Sequence, residues 1–201
     1  FYGDIQTKLT DLSSHLLFFA LELNRIDDAV INAAMDRDPA TGHFRPWLVD
    51  LRMDKPFQLD DKLEQLFLEK SMTSAAAFNR LFDETMSELR FEGDGEKQPL
   101  EITLNMLVEP EPETRAKAAV ALSKTFTENL RVFTLITNTL AKDKEISDRW
   151  RGFSDVADSR HLANRVEREV VDALAKAVSD AYPAIAHRYY ALKAKWLGLD
   201  A

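Results

Sequence analysis

Apolar residues recur at alternating spacings of four and three along the first part of the chain. They are Ile5, Leu9, Leu12, Leu16, Phe19, Leu23 and Ile26. An α-helix has 3.6 residues per turn, so this spacing places these side chains on one stripe of a helix of about seven turns. Leu17 and Phe18 widen the stripe, and the pattern therefore predicts a helix that packs against more than one neighbour.

Polar and φ-restricted residues predict where the next helices begin and end. Asp27 is placed to cap a second helix, and the polar run at 36–43 predicts a loop. Pro46 suits the first turn of a helix that reaches Met53, because proline lacks only an N–H that has no partner there. Asp60 and Asp61 open the following helix, and Ser74 or Thr73 caps another that extends to about residue 89.

The pattern changes between residues 89 and 103. Residues 89–92 and 100–103 alternate apolar and polar side chains on either side of the Gly-Asp-Gly run at 93–95. An Asp-Gly pair supplies the positive φ angles of a tight hairpin turn. We therefore predict a small β-hairpin near residues 89–103, with Pro99 at its edge because proline cannot donate to the ladder.

Helical spacing returns after the hairpin. One long helix is predicted from about Glu113 to Ser147, and shorter helices are predicted over residues 155–164 and 168–182. Pro183 is expected to kink or restart the last helix, which Gly198 ends. The fold class predicted is all-α, a multi-helix bundle with one long helix and the small hairpin. Residues 1–110 are expected to form an N-terminal helical lobe, and residues 111–201 the long helix with linking helices.

Composition narrows the classes of function. The net charge of −8, from 34 acidic and 26 basic residues, argues against a nucleic-acid partner, because a phosphate backbone needs a basic face. No apolar run approaches the roughly 18 residues of a membrane span. The chain contains no cysteine, which excludes disulfides and thiolate metal ligands and leaves the cytoplasm as the expected location.

The stretch from Leu140 to Leu199 carries a family resemblance. A basic, aromatic cluster is followed by a segment of the type R-x-L-x-x-N-x-V and then by an R-Y-x-x-L-K-x-K-x-L-G helix. The matching residues are Lys142, Lys144, Arg149, Trp150, Arg151, Phe153, Arg160, Leu162, Asn164, Val166, Val170, Arg188, Tyr189, Leu192, Lys193, Lys195, Leu197 and Gly198, and Leu174 matches with a shift of one residue. In these residues the chain resembles oligoendopeptidase F, a family of zinc metallopeptidases related to thimet oligopeptidase. The likeness extends more weakly back to Phe1.

The zinc-binding motif that the resemblance implies is absent from this sequence. Such peptidases bind zinc through H-E-x-x-H, with the glutamate as general base and a further glutamate downstream. The four histidines, His15, His43, His161 and His187, are each followed by Leu, Phe, Leu or Arg. We therefore expect no catalytic and no metal-binding residue in this chain, which we interpret as an N-terminal region separated from its catalytic domain by truncation or proteolysis.

Three residues are the candidate substrate contacts. Arg149, Arg160 and His161 lie in or beside the basic cluster. An arginine there could hold the C-terminal carboxylate of a peptide, and the imidazole could donate to a peptide carbonyl. The alternative for the cluster is that its charges only favour the end of a helix, where cations are stabilised in any case.

Two hypotheses of function follow. In the first, the chain is the non-catalytic lobe of an oligoendopeptidase F-like enzyme, and it walls a cavity over the zinc site of the parent protein. Its partners are then its own catalytic domain and an oligopeptide substrate, with no nucleic acid and no membrane. The alternative is a stand-alone helical module that binds a partner protein. The last helix, with Tyr189, Tyr190, Leu192 and Trp196, is the surface expected to be covered by self-association as a homo-oligomer.

Overall fold

The computed structural model describes residues 1–93 and 95–199, which divide into two compact units, residues 1–152 and residues 153–201. The first unit holds nine of the helices and a pair of short strands. These elements are α1 (Tyr2–Arg25), α2 (Asp28–Arg37), α3 (Pro39–His43), α4 (Arg45–Arg52), a 3₁₀ turn (Lys55–Phe57), α5 (Asp61–Ser71), α6 (Ala75–Glu88), β1 (Phe91–Glu92), β2 (Lys97–Gln98), α7 (Leu100–Met106), α8 (Pro112–Glu128) and α9 (Leu130–Arg151).

The second unit is helical in the residues that are described. Its elements are α10 (Asp158–Ala163), α11 (Arg168–Ala181), a π-helical turn (Pro183–His187) and α12 (Arg188–Leu197). The all-α class with one small antiparallel sheet is thus confirmed. The division of the chain after residue 110 stays a prediction about the lobes of a larger protein.

Local chemistry explains several helix ends. The side chain of Asp27 accepts a hydrogen bond from the Ala29 N–H at 2.8 Å, and that of Asp60 accepts one from the Leu63 N–H at 3.0 Å. Both carboxylates therefore satisfy N–H groups that have no partner within the helix. Gly198, at φ +67°, ends α12 in the left-handed conformation that glycine adopts without a steric penalty, as predicted.

The core of the first unit has two parts. Ile31, Met35 and Leu48 form a buried cluster between α2 and α4. A row of aromatic rings lies elsewhere in the unit, where Phe91 of β1 is fully buried and packs edge to face on Phe126 with ring centroids 5.4 Å apart. The row continues through Phe133 on α9, so the short strand is anchored to two long helices.

The hairpin is smaller than predicted. Its two strands pair in antiparallel register, with Phe91 opposite Gln98 and Glu92 opposite Lys97, while the predicted strand at 100–103 is the first turn of α7. Pro99 precedes that helix, and its carbonyl accepts hydrogen bonds from both the N–H and the Oγ1 of Thr103. The L-E-I-T pattern therefore belongs to a helix, and Asp94 of the turn lies outside the described residues.

The prediction of a single long helix over residues 113–147 is wrong, because the helix is interrupted between α8 and α9. Asn129 has φ −103° and ψ 7°, outside the helical region, and its side-chain amide donates to the Thr125 carbonyl at 2.9 Å. An asparagine that bonds a carbonyl four residues back competes with the regular hydrogen bonds of the helix.

The polar run at 36–43 is not a loop throughout, contrary to the prediction from the sequence. The carboxylate of Asp38 accepts from the N–H groups of Ala40 and Thr41 and starts α3 there.

The apolar stripe of α1 does not form the predicted core. Ile5, Leu9, Leu12, Leu16 and Phe19 are between 40% and 69% exposed. A different stripe of α1 faces the fold, consisting of the half-buried Gly3, Gln6, Thr10, Ser14 and Leu17 and the buried Leu21 and Asn24. Helix α1 packs along α5, and the large apolar residues of the predicted stripe from Ile5 to Phe19 stay outside.

Within the part of the chain that the structure describes, every helix is too short or too polar to span a lipid bilayer.

Candidate functional site

The basic cluster near the end of α9 consists of Lys142, Lys144, Arg149 and Arg151, and each of these cations has a carboxylate partner. Lys144 pairs with Asp148 one turn further along the helix. Glu145 accepts from Lys142 at 2.5 Å and from the Nε of Arg149 at 3.1 Å. Hydrogen bonds from Lys142 and then Arg149 lower the pKa of the Glu145 carboxyl group. Pairs at these spacings stabilise a solvated helix, so most of the positive charge of the cluster is neutralised within α9.

Arg151 makes a different kind of contact, because its partner is 87 residues away along the chain. Its two terminal nitrogens donate to the two carboxylate oxygens of Glu64 on α5, at 2.8 and 2.9 Å. The Nη1 also donates to the Phe57 carbonyl at 3.2 Å, and the guanidinium lies 5.5 Å from the centre of the Phe67 ring. The Arg151–Glu64 clasp therefore joins the end of α9 to the start of α5.

The surroundings of the clasp shift the pKa values of both Glu64 and Arg151. Burial alone raises the pKa of the Glu64 carboxyl group, but hydrogen bonds from Arg151 and from the Leu59 N–H outweigh burial and hold the pKa below its usual value. The hydrogen bonds to Glu64 raise the pKa of the Arg151 guanidinium. Only 11% of the Glu64 side chain and 26% of the Arg151 side chain are exposed, so both ionised groups need this pairing.

A cavity of about 500 Å³ lies beside the clasp, among α1, α5, α6 and α9. Its walls combine apolar and charged side chains. They include Leu17, Phe67, Lys70, Asp143, Ser147 and Arg151. Nothing in this set has the arrangement of a nucleophile with an adjacent base, and among residues 1–93 and 95–199 no group of histidines and carboxylates is placed to hold a metal ion.

In the second unit, a carboxylate cluster positions the short helix α10. Asp158 accepts hydrogen bonds from the Ser154 hydroxyl and the Asp155 N–H, each at 2.9 Å, and pairs with Arg168. Burial raises the pKa of the Asp158 carboxyl group, but these hydrogen bonds outweigh burial and lower it. Asp155 accepts from the Ala157 N–H, but α10 begins only at Asp158 and has no side-chain cap, so the prediction that Asp155 caps this helix is wrong. Beyond the helix, Arg165 adopts a left-handed backbone with φ +52°.

The three predicted substrate contacts lie in different units. Arg149 is on the last turn of α9 in the first unit, where its side chain is 61% exposed and pairs with Glu145. Arg160 and His161 are neighbours on α10 in the second unit, Arg160 exposed and His161 half-buried. The main-chain N–H of His161 donates to the Ala157 carbonyl at 2.9 Å. The role of all three in substrate binding stays a prediction.

The last helix presents its large side chains to solvent. Tyr189, Tyr190, Leu192 and Trp196 are between 42% and 69% exposed, and the two tyrosine rings lie 5.7 Å apart. We expected these side chains to lie on a surface, and among the described residues they do not form part of a core. The partner that covers them stays a prediction.

Comparisons with known proteins agree with the resemblance seen in the sequence. The family model for oligopeptidase F matches residues 22–91. The solved structure of oligoendopeptidase-F from Enterococcus faecium has a TM-score of 0.83 to this chain, at 18% sequence identity. This chain is therefore similar to oligopeptidase F over residues 22–91 and shares the fold of oligoendopeptidase-F. At that identity the structural likeness shows the fold alone, and no curated protein matches the sequence.

The extent of the match to oligoendopeptidase-F is unequal for the two chains. It covers 97% of this chain and 40% of the Enterococcus faecium chain. The present chain therefore spans less than half of the length of that oligoendopeptidase-F. The matched family model also lies upstream of residues 140–199, where the resemblance was first seen.

Sequence reasoning missed Glu64. The separation of 87 residues from Arg151 leaves no local spacing that could have paired them. The only signal was the position of Glu64 in the first turn of a helix that Asp60 caps, and a carboxylate is favourable there without any partner.

Proposed function

We propose that residues 1–201 form the non-catalytic N-terminal lobe of an oligoendopeptidase F-like metallopeptidase that cleaves oligopeptides. The observation that supports this most is the fold match, which covers 97% of the chain with a TM-score of 0.83. In this proposal the lobe walls a cavity over the catalytic site, so that oligopeptides enter and folded proteins are excluded.

The residues of this chain do not fit the zinc site that the family implies. His15, His43, His161 and His187 include no pair separated by one helical turn with a glutamate beside it. The metal and the general base would therefore belong to a part of the parent protein outside residues 1–201. The contribution of this chain is then binding and enclosure of the peptide.

The lobe can serve as a wall because the first unit is held together across long sequence separations. The Arg151–Glu64 clasp fixes the end of α9 against α5, and the Phe91–Phe126 contact fixes β1 against α8. A surface that positions substrate must be held by packed elements, since misplacement of about 1 Å reduces catalysis strongly.

The exposed arginines are the proposed peptide contacts. Arg160 and Arg149 are reachable from solvent, and a guanidinium can bind a carboxylate through two parallel hydrogen bonds. Positioning of this kind strengthens binding of the ground state and of the transition state alike. In the intact peptidase, Arg160→Ala or Arg149→Ala should raise KM for short peptides more than it lowers kcat, with a loss on the order of 1.5 to 3 kcal/mol.

A matched control separates this role from a structural one. Arg131→Ala, on the exposed surface of α9, removes a charge of the same kind without touching the basic cluster, and should leave KM unchanged. If the substitutions of Arg149 and Arg160 lower the melting temperature and leave KM unchanged, both are structural charges.

The function is tested by peptide hydrolysis with two proteins. The intact parent should cleave oligopeptides, lose activity on chelation and regain it with zinc, whereas residues 1–201 alone should bind no stoichiometric zinc and cleave no peptide. About one zinc per chain in elemental analysis of residues 1–201 would contradict the proposal. The alternative, a stand-alone interaction module, is favoured if the parent gene encodes no H-E-x-x-H.

A further inference from the structure

Helix α1 has one packed face and a separate apolar face. The packed face, which includes Leu17, Leu21 and Asn24, is directed into the first unit. The apolar face is solvent-exposed, and we call it the α1 seam. It consists of Ile5 (40% exposed), Leu9 (57%), Leu12 (62%), Leu16 (69%) and Phe19 (53%).

The polar face occupies what remains of the helix circumference. At about 100° of rotation per residue, its members fall between the packed face and the α1 seam. They are Asp4, Lys8, Asp11, His15 and Glu22. An apolar stripe on a helix normally faces a packing partner, while the polar side faces water. The α1 seam therefore has the composition of a surface that another element covers.

The spacing of the seam identifies the kind of element that fits it. Its residues recur at intervals of four, three, four and three, which is the seven-residue repeat of helices that pack side by side. A strand or a loop offers no matching period of 3.5 residues. From Ile5 to Phe19 the seam extends for about 21 Å along the helix axis, enough for about four turns of a second helix.

The end of the seam near Phe19 is flanked by Trp47 of α4. The two rings are stacked with centroids 6.3 Å apart, and Trp47 is itself 47% exposed. This pair continues the exposed apolar surface from α1 onto α4. The exposed apolar residues therefore form a continuous surface and not a scatter of single residues.

We propose that the α1 seam is the docking site of an amphipathic helix belonging to the same parent polypeptide, from a part of it outside residues 1–201. This inference rests on the proposed function, in which the lobe belongs to a longer protein. Only 40% of the matched oligoendopeptidase-F is covered, so more than half of that chain lies outside this fold. A tethered helix acts at an effective concentration on the order of millimolar, so it displaces a second copy of the chain as the occupant.

The absence of cysteine from the chain allows a direct test by thiol labelling. Single cysteines are introduced as Leu12→Cys and Leu16→Cys in the seam, and as Asp11→Cys on the polar face of the same helix. The three variants are prepared both in residues 1–201 and in the parent protein, whose other cysteines, if it has any, are replaced by serine. The measurement is the rate of reaction with a maleimide.

In residues 1–201, all three thiols should react at similar rates. In the parent, the two seam thiols should react at least about tenfold more slowly, because a covered side chain is reached only through local opening, while the Asp11→Cys thiol keeps its rate. Equal rates for all three in the parent overturn the proposal. Slow, concentration-dependent labelling of the seam in residues 1–201 also overturns it, since a second copy would then be the occupant.

The result is separable from the proposed function when the parent is labelled after zinc has been removed. If the seam is protected but the zinc-loaded parent does not hydrolyse peptides, the docking site is supported and the proposed peptidase function is contradicted. If the parent hydrolyses peptides but the seam is not protected, the peptidase function is supported and the docking site is contradicted. As a second readout, Leu16→Glu should lower the melting temperature of the parent by several degrees and change that of residues 1–201 by much less, because the side chain is already exposed there.

Discussion

The two units of the chain are stabilised in different ways. All of the buried side chains of the described residues lie in the first unit, among them Phe91, Ile136 and Leu48, whereas residues 153–199 contain none. The first unit is also joined by contacts between distant residues, such as Arg151 with Glu64. The ion pairs described in the second unit are local, from Asp155 to Arg168 and from Lys176 to Asp180.

This difference shows which helices depend on a partner. Helices of 10 to 14 residues, the length of α11 and α12, are marginal in water without tertiary packing. Val170, Leu174 and Val178 recur every four residues on α11 and are 45% to 63% exposed. The first unit has a core of its own, and the second presents apolar surface that stabilises it only when something covers that surface.

The largest expected effect is the loss of Phe91. Phe91→Ala removes a fully buried ring and leaves a cavity beside Phe126, which should cost roughly 3 to 5 kcal/mol of the free energy of unfolding of the first unit. Urea unfolding followed by circular dichroism measures this. Val156→Ala, at a side chain that is 74% exposed in the second unit, is the control and should change the free energy by less than about 0.5 kcal/mol.

The next effect concerns the Arg151–Glu64 clasp. Glu64→Gln leaves the Arg151 charge without its counterion in a half-buried place, and should cost roughly 2 to 3 kcal/mol. The comparison is Asp180→Asn, which breaks the Lys176–Asp180 pair of the second unit, whose side chains are 76% and 64% exposed. That change should cost less than about 0.5 kcal/mol. Equal losses for the two substitutions would contradict the contrast between the units.

Acid should weaken the first unit through the same carboxylate. The pKa of Glu64 is lower in the folded chain than its ordinary value, so its stabilising contribution is present above that ordinary value. The contribution is lost as the pH falls through the lower, folded-state pKa. The difference in unfolding free energy between the wild type and Glu64→Gln should therefore be constant near neutral pH and shrink in acid. A difference that is independent of pH down to strong acid would show that Glu64 acts by packing alone.

The smallest effect compares two glycines that end helices. Gly152 ends α9 at φ +80° and Gly198 ends α12 at φ +67°, and a Cβ at either would meet no atom within 4 Å. Alanine at either position therefore costs only backbone strain, on the order of 1 kcal/mol. Gly152→Ala should lower the melting temperature of the first unit, whereas Gly198→Ala should only fray the end of α12. Differential scanning calorimetry of the two variants tests this.

Features set by neighbouring residues were predictable from the sequence. Asp27 and Asp60 begin helices and Gly198 ends one where expected, because a cap depends on a few adjacent positions. The helical class followed from spacing in the same way. Pro183 also changes the last helix as expected, through a π-helical turn in which the His187 N–H donates to the Tyr182 carbonyl.

Features set by distant residues were not predictable. The stripe containing Leu12 and Leu16 is regular, but the sequence does not show that α1 packs onto its neighbours through a different face. The L-E-I-T segment fits a strand or a helix equally well, and the packing of the buried Thr103 decides for α7. The Arg151–Glu64 clasp exists only once α5 and α9 have been brought together.

Amide hydrogen exchange on residues 1–201, measured residue by residue against denaturant, tests the contrast between the units most directly. We expect amides of α9 near Ile136 to exchange only through global unfolding of the first unit, with rates that depend steeply on denaturant. Amides of α11 should exchange through local opening, with rates that hardly depend on denaturant. One common exchange free energy for α9 and α11 would contradict the account, because the second unit would then be as well supported as the first.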